Sequence, residues 1–147
     1  MLKFKYWKIE KGLKEIIEKY VADWHWNEDS KKYAYEMGKF LFSFINYLED
    51  QILSEKSKRK HINQLPLIGM FESNFGYNDE FKIKNLENGP HYAYEFERKV
   101  SDLKYAKQSY QSTWKKLDKY IKSGDYKEYL DKVQEKLTAE NQISRKF

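Results

Sequence analysis

The sequence predicts a mainly α-helical protein: a single-domain bundle of about five helices over residues 1–140, with a loose tail at 141–147. Three observations carry that expectation. Apolar residues recur every three or four positions through most of the chain, the period of a helix with one buried face. At 147 residues the chain has the length of one domain, enough to bury about 70% of its unfolded surface. Charged residues make up 35% of the chain but are mixed in sign, which favours a folded domain over a disordered polyelectrolyte.

The elements follow in order. Ile9, Leu13, Ile16, Ile17, Tyr20, Val21 and Trp24 share one face of a first helix. Before it "LKFKYW" alternates, so residues 2–6 are either a short extended piece or a frayed helix start, the second being preferred. "WNEDSKK" is a start signal in which Asp29 or Ser30 can cap a second helix. That helix carries Tyr33, Met37, Leu41, Phe44, Ile45, Leu48 and Ile52, with Phe40, Phe42 and Tyr47 on other sides. A helix apolar nearly all round belongs at the centre of a bundle. Ser54 can cap a third helix, which Pro66 should bend at Gln64–Leu65, because proline lacks an N–H and crowds the preceding turn. A shorter helix to about Ser73 should follow. Residues 74–89 read as an irregular region with two turn-like segments, "NFGYND" and "NLENGP". "EFKIKNL" inside it alternates as a short strand would. Pro90 suits the first turn of a long fourth helix reaching Lys122. Its stripe is Phe96, Val100, Leu103, Ala106, Tyr110, Trp114, Leu117 and Ile121. Gly124 suits the left-handed stop, and a last helix runs from about Tyr126 to Leu137.

Several function classes lose ground at once. No cysteine is present, which removes disulfide frameworks and Cys-ligated metals. The basic start is not followed by an uncharged apolar stretch, so no secretory signal is expected. The longest apolar run, "FLFSFI" at Phe40–Ile45, falls far short of a membrane span. A membrane-surface role is also disfavoured, since Glu10, Glu15 and Glu18 share the polar face of the first helix. The expectation is a cytoplasmic protein. His25, His61 and His91 are too far apart in sequence for a local metal motif, so neither metal nor cofactor is expected. No phosphate-binding glycine loop, nucleophile elbow or zincin motif occurs. The Arg-x4–6-His pattern of helical-bundle ribonucleases is missing too, so no catalytic residues are assigned and an enzyme is not expected.

Charge points to a binding role. The net charge is +5, and of 28 basic residues only Arg59, Arg98 and Arg145 are arginine. Lysine attracts phosphate diffusely, whereas arginine supplies the bidentate contacts that read bases. Residues 53–64 sum to +3 and 98–122 to +6, whereas 21–52 sum to −3 and 65–97 to −4. On the fourth helix Arg98, Lys104, Lys115, Lys116, Lys119 and Lys122 project from the polar side, together with Tyr105. Lysines beside an aromatic ring suit a nucleic-acid backbone, although every amphipathic helix also needs a solvated face.

The third helix begins in "LSEKSKRKHINQL", Leu53–Leu65, where Lys56, Lys58, Arg59, Lys60 and His61 leave Ile62 as the one apolar residue between the leucines. Its spacing runs Leu53-Ser54, then Ser57, His61, Leu65 and Phe71, preceded by "FINYLEDQI" at Phe44–Ile52. This resembles the core-binding, SAM-like helical domain of tyrosine recombinases over residues 44–71. Ser57 stands where that family usually has Thr and His61 where it often has Tyr, while Pro66 departs from the pattern. The resemblance implies a helix pair that grips DNA. The family's dispersed catalytic Arg, Lys, His and Tyr set cannot be assembled downstream, so it implies no strand cleavage.

The leading expectation is a non-enzymatic nucleic-acid-binding or accessory protein contacting DNA or RNA phosphates through Lys56, Lys58, Arg59, Lys60, His61, Lys104, Lys115, Lys116 and Lys119, with Tyr105 stacking. The alternative is a protein-interaction module, a small subunit or inhibitor of a larger complex. Its aromatic anchors would be Trp26, Phe71, Phe75, Tyr77 and Phe81. The oligomeric state is left open.

Overall fold

The computed structural model describes residues 12–24, 27–75 and 80–146. Residues 2–6, Ile9, Glu10, His25, Trp26 and Tyr77 lie outside them. Among the described residues there are six α-helices and no strand: α1 (Leu13–Tyr20), α2 (Glu28–Asp50), α3 (Glu55–Phe75), α4 (Ala93–Lys99), α5 (Lys104–Ser123) and α6 (Tyr126–Lys146). "EFKIKNL" is not a strand; its second half closes into a 3-10 turn, Ile83–Leu86.

α2 is the central helix. Phe40, Leu41, Phe42, Phe44, Ile45 and Leu48 are fully buried, and α1, α3 and α6 all pack against it. Its cap is Asn27, two residues before Asp29 and three before Ser30. The Ser30 N–H donates to Asn27 Oδ1 at 2.8 Å, and the Asn27 N–H donates back to Ser30 Oγ at 3.1 Å. Asparagine is among the best N-caps, and the reciprocal bond satisfies a second free donor. The helix stops at Asp50, which leaves Ile52 fully exposed instead of on the buried stripe. Gly38 lets α1 come close: a Cβ there would lie 2.6 Å from Val21 Cγ1 and 2.9 Å from Ile17 Cγ2.

α3 starts as expected, with the Ser57 N–H donating to Ser54 Oγ at 3.1 Å. It then runs through Pro66 without ending. Pro66 itself is exposed, on the solvent side of the helix, so its ring takes no space in the core, although the Ile62 carbonyl loses its usual helical partner. Further along, Gly69 meets the indole of Trp24. A Gly69→Ala change is expected to cost about 1–3 kcal/mol by overpacking, read as a lower urea midpoint at unchanged m-value.

The expected fourth helix is two helices. α4 ends at Lys99 and α5 begins only at Lys104. Ser101 explains the break: its Oγ accepts the Leu103 N–H at 3.2 Å, a local bond that competes with continued helix. Pro90 is not a helix-starting residue; it follows Gly89 through a cis bond, ahead of α4. Gly124 ends α5 at φ 84°, as expected. α6 continues to Lys146, past both Leu137 and the start of the stretch read as a loose tail. Its Glu140 accepts the Leu13 N–H at 2.6 Å, capping α1 from across the bundle. Buried hydroxyls join α2 to α5, with Ser43 Oγ and Tyr120 Oη 2.7 Å apart.

Candidate nucleic-acid interface

The two basic segments meet. α3 packs directly on α5, and the Lys60 Nζ lies 5.8 Å from the centre of the Tyr105 ring. The seam beneath is the contact between His61 on α3 and Thr113 on α5, whose Nδ1 and Oγ1 are 2.8 Å apart. Helical spacing of about 100° per residue places Lys60, then Lys56 and Arg59, on the solvent flank beyond His61. By the same spacing Lys116, Tyr105, Lys119 and Lys115 follow one another around α5 away from Thr113. Lys56, Arg59, Lys60, Lys104, Tyr105, Lys115 and Lys119 are exposed, and Lys116 is half-buried. None of these cations forms an ion pair among the described residues; those seen on α5 are Lys107–Glu97 and Lys122–Asp118.

Two expected contact residues are not on this surface. Lys58 is 8% exposed, and its Nζ donates to the Glu49 carbonyl at 2.8 Å. It ties α3 to the last turn of α2, where carbonyls lack helical partners and a cation is favoured. His61 is 5% exposed. Burial, aided by Lys116 and Lys60, pushes its pKa down to about 4. A buried, neutral imidazole cannot serve as a phosphate contact at pH 7.

This depression has a sign. The unfolded chain takes up a proton at His61 below about pH 6.5, but the folded chain resists until about pH 4. Stability contributed by His61 is therefore full above pH 6.5 and falls as pH falls through that window. The loss is expected to be on the order of 2 kcal/mol. Urea midpoints at about pH 7 and pH 4.5 should differ less in His61→Asn than in the parent.

The expected partner anchors that lie among the described residues, Phe71, Phe75 and Phe81, face inward. Phe71 is 2% exposed and packs on Phe75 and Tyr92. Phe75 is half-buried beneath Lys99, whose Nζ is 4.6 Å from its ring centre. Phe81 is half-buried, edge-on to Tyr33 at 5.5 Å. The exposed large apolar side chains are Tyr94, Val100, Leu103 and Tyr105 around the α4–α5 corner, with Ile52.

A polar pair that the sequence does not signal sits behind α3. Glu72 is 3% exposed. Its Oε1 lies 2.6 Å from His91 Nδ1, while His91 Nε2 lies 2.7 Å from the Glu87 carbonyl. A neutral imidazole has one N–H, so two acceptors on two ring nitrogens call for the imidazolium. The Glu72 hydrogen bond accordingly holds the His91 pKa above its ordinary value, against burial. Nothing but tertiary contact unites residues 19 apart on a helix and in a loop.

Negative charge collects elsewhere. A cleft of about 660 Å³ between α1, α2 and α6 is lined by four glutamates, Glu15, Glu18, Glu36 and Glu140, against two lysines, Lys14 and Lys39. Burial and then these neighbouring glutamates Glu18, Glu36 and Glu140 push the Tyr35 hydroxyl up to about 12. Such a cleft repels phosphate. Among the described residues no cluster of three or more His, Asp or Glu side chains is arranged to hold a metal. No described helix is long and apolar enough to cross a membrane. No protein-family model, curated protein or solved structure matches this chain.

Proposed function

We propose that this protein is a non-enzymatic nucleic-acid-binding or accessory protein that holds a phosphate backbone along α3 and α5. What carries the reading is the meeting of unpaired cations from two helices at the Lys60–Tyr105 contact. Each neutralised phosphate releases condensed counterions, which is the main driving force of such binding. The likeness of residues 44–71 to the DNA-gripping helix pair of tyrosine recombinases points the same way, and α2 with α3 would be that pair. The second reading, a protein-interaction module, has lost Phe71 as an anchor but is favoured by the exposed Tyr94, Val100 and Leu103.

Binding to duplex DNA, single-stranded DNA and RNA at two salt concentrations tests the first reading. With about six phosphates neutralised, affinity should fall about a thousandfold between about 50 and 200 mM salt. Binding that persists unchanged in high salt contradicts it, and absence of any binding favours the protein partner.

A further inference from the structure

We infer that the ligand of the α3–α5 face is a single strand, with one base stacked on the ring of Tyr105. The inference rests on the nucleic-acid reading above and narrows it. Tyr105 is 72% exposed. The rings of Tyr20, Tyr47, Tyr120 and Tyr129 pack against other rings, whereas the neighbour seen for Tyr105 is the Lys60 ammonium. Tyr94, the other exposed tyrosine among the described residues, has the Arg98 guanidinium 5.7 Å from its ring centre but sits on α4 between acidic neighbours, beside Glu95 and near Glu97. Tyr105 instead stands in the first turn of α5, next to Lys104 and under Lys60, cations without an ion pair among the described residues.

An isolated exposed ring is ordinary on a protein surface. An exposed ring inside a row of unpaired cations is the pairing that sequence-tolerant single-strand binders use. The charges follow the backbone, and the ring takes the face of an unstacked base. A duplex cannot use that ring, because its bases are already stacked on each other and it presents phosphates and groove edges. The face also lacks what a duplex reader needs: its basic residues are lysines apart from Arg59, and among the described residues there is no strand to enter a groove. Lys60 above the ring adds to the attraction, since a cation at the ring fixes its orientation and lies within reach of the adjoining phosphate.

The test is fluorescence anisotropy at low salt with labelled oligo-dT, oligo-rU and a duplex of the same length. The parent is compared with Tyr105→Ala and Tyr105→Phe. Both substitutions are at an exposed position, and unchanged thermal melts would show intact folding. The expected result is tighter binding of the single strands than of the duplex. Tyr105→Ala should weaken single-strand binding about tenfold and leave duplex binding unchanged, while Tyr105→Phe, which keeps the ring, should retain it. A preference for either oligo-dT or oligo-rU supports the inference equally and identifies the sugar. Duplex binding as tight as single-strand binding overturns the inference but leaves the nucleic-acid reading standing. So does an equal loss on all three ligands in Tyr105→Ala. If none of the three binds, both fall.

Discussion

Truncating Trp114 to alanine is expected to lower the free energy of unfolding by about 3–5 kcal/mol. Domains of this kind have only about 5–15 kcal/mol to lose. Trp114 is fully buried on α5. Its indole lies 5.1 Å from the His91 ring, and the backbone at Gly89 is pressed so closely against it that no Cβ would fit. Removing it therefore leaves a cavity beneath Gly89 and His91, where the 87–92 segment is pressed onto α5. The cavity cannot close cheaply, because the loop above it is also held at Glu72 and at Asp118, which accepts the Asn88 N–H at 2.8 Å. Urea unfolding should show the loss as a lower midpoint. A loss below about 1 kcal/mol would mean that the loop collapses freely onto α5, contrary to this packing.

Replacing His91 with alanine is expected to cost about 3 kcal/mol, because the Glu72 carboxylate then stays buried without its partner. The double variant Glu72→Leu/His91→Ala should be more stable than His91→Ala alone, since it removes the stranded charge. The pH dependence is opposite to that of His61. The folded-state pKa of His91 is raised, so its contribution is complete below the unfolded value of about 6.5 and is lost as pH rises through the folded value. A cost that is the same at all pH values, and that Glu72→Leu does not relieve, would reduce the pair to simple packing.

These two residues mark where sequence patterning stops. Helices α1, α2 and the apolar side of α5 were legible because burial repeats at the helical period, from Leu13 and Ile17 through Leu48 to Leu117 and Ile121. The Ser54 cap and the Gly124 stop were legible because each rests on local chemistry. Pro66 misled because the burial of Leu65, Ile68 and Phe71 on either side of it carries α3 through a residue that locally disfavours a helix. Ser101 was missed because one side-chain-to-backbone bond was enough to split a long amphipathic stripe. At the candidate interface the charge blocks showed which helices matter, but not which side chains. Lys58 and His61 lie in the same basic run as Lys56, Arg59 and Lys60. Only the packing of α3 between α2 and α5 turns the first two inward. The Glu72–His91 pair had no signature at all, being made by a loop returning to a helix.

The central claim is that lysine-bearing surfaces from α3 and α5 act as one cationic wall. The most direct measurement is the slope of log affinity against log salt for a single-stranded oligonucleotide. It is compared among the parent, the α3 set Lys56→Gln/Arg59→Gln/Lys60→Gln, the α5 set Lys115→Gln/Lys116→Gln/Lys119→Gln, and both sets combined. The account predicts that each set lowers the slope by about 2–3 and that the combined variant binds with almost no salt dependence. A slope that responds to only one helix, or to neither, would contradict it.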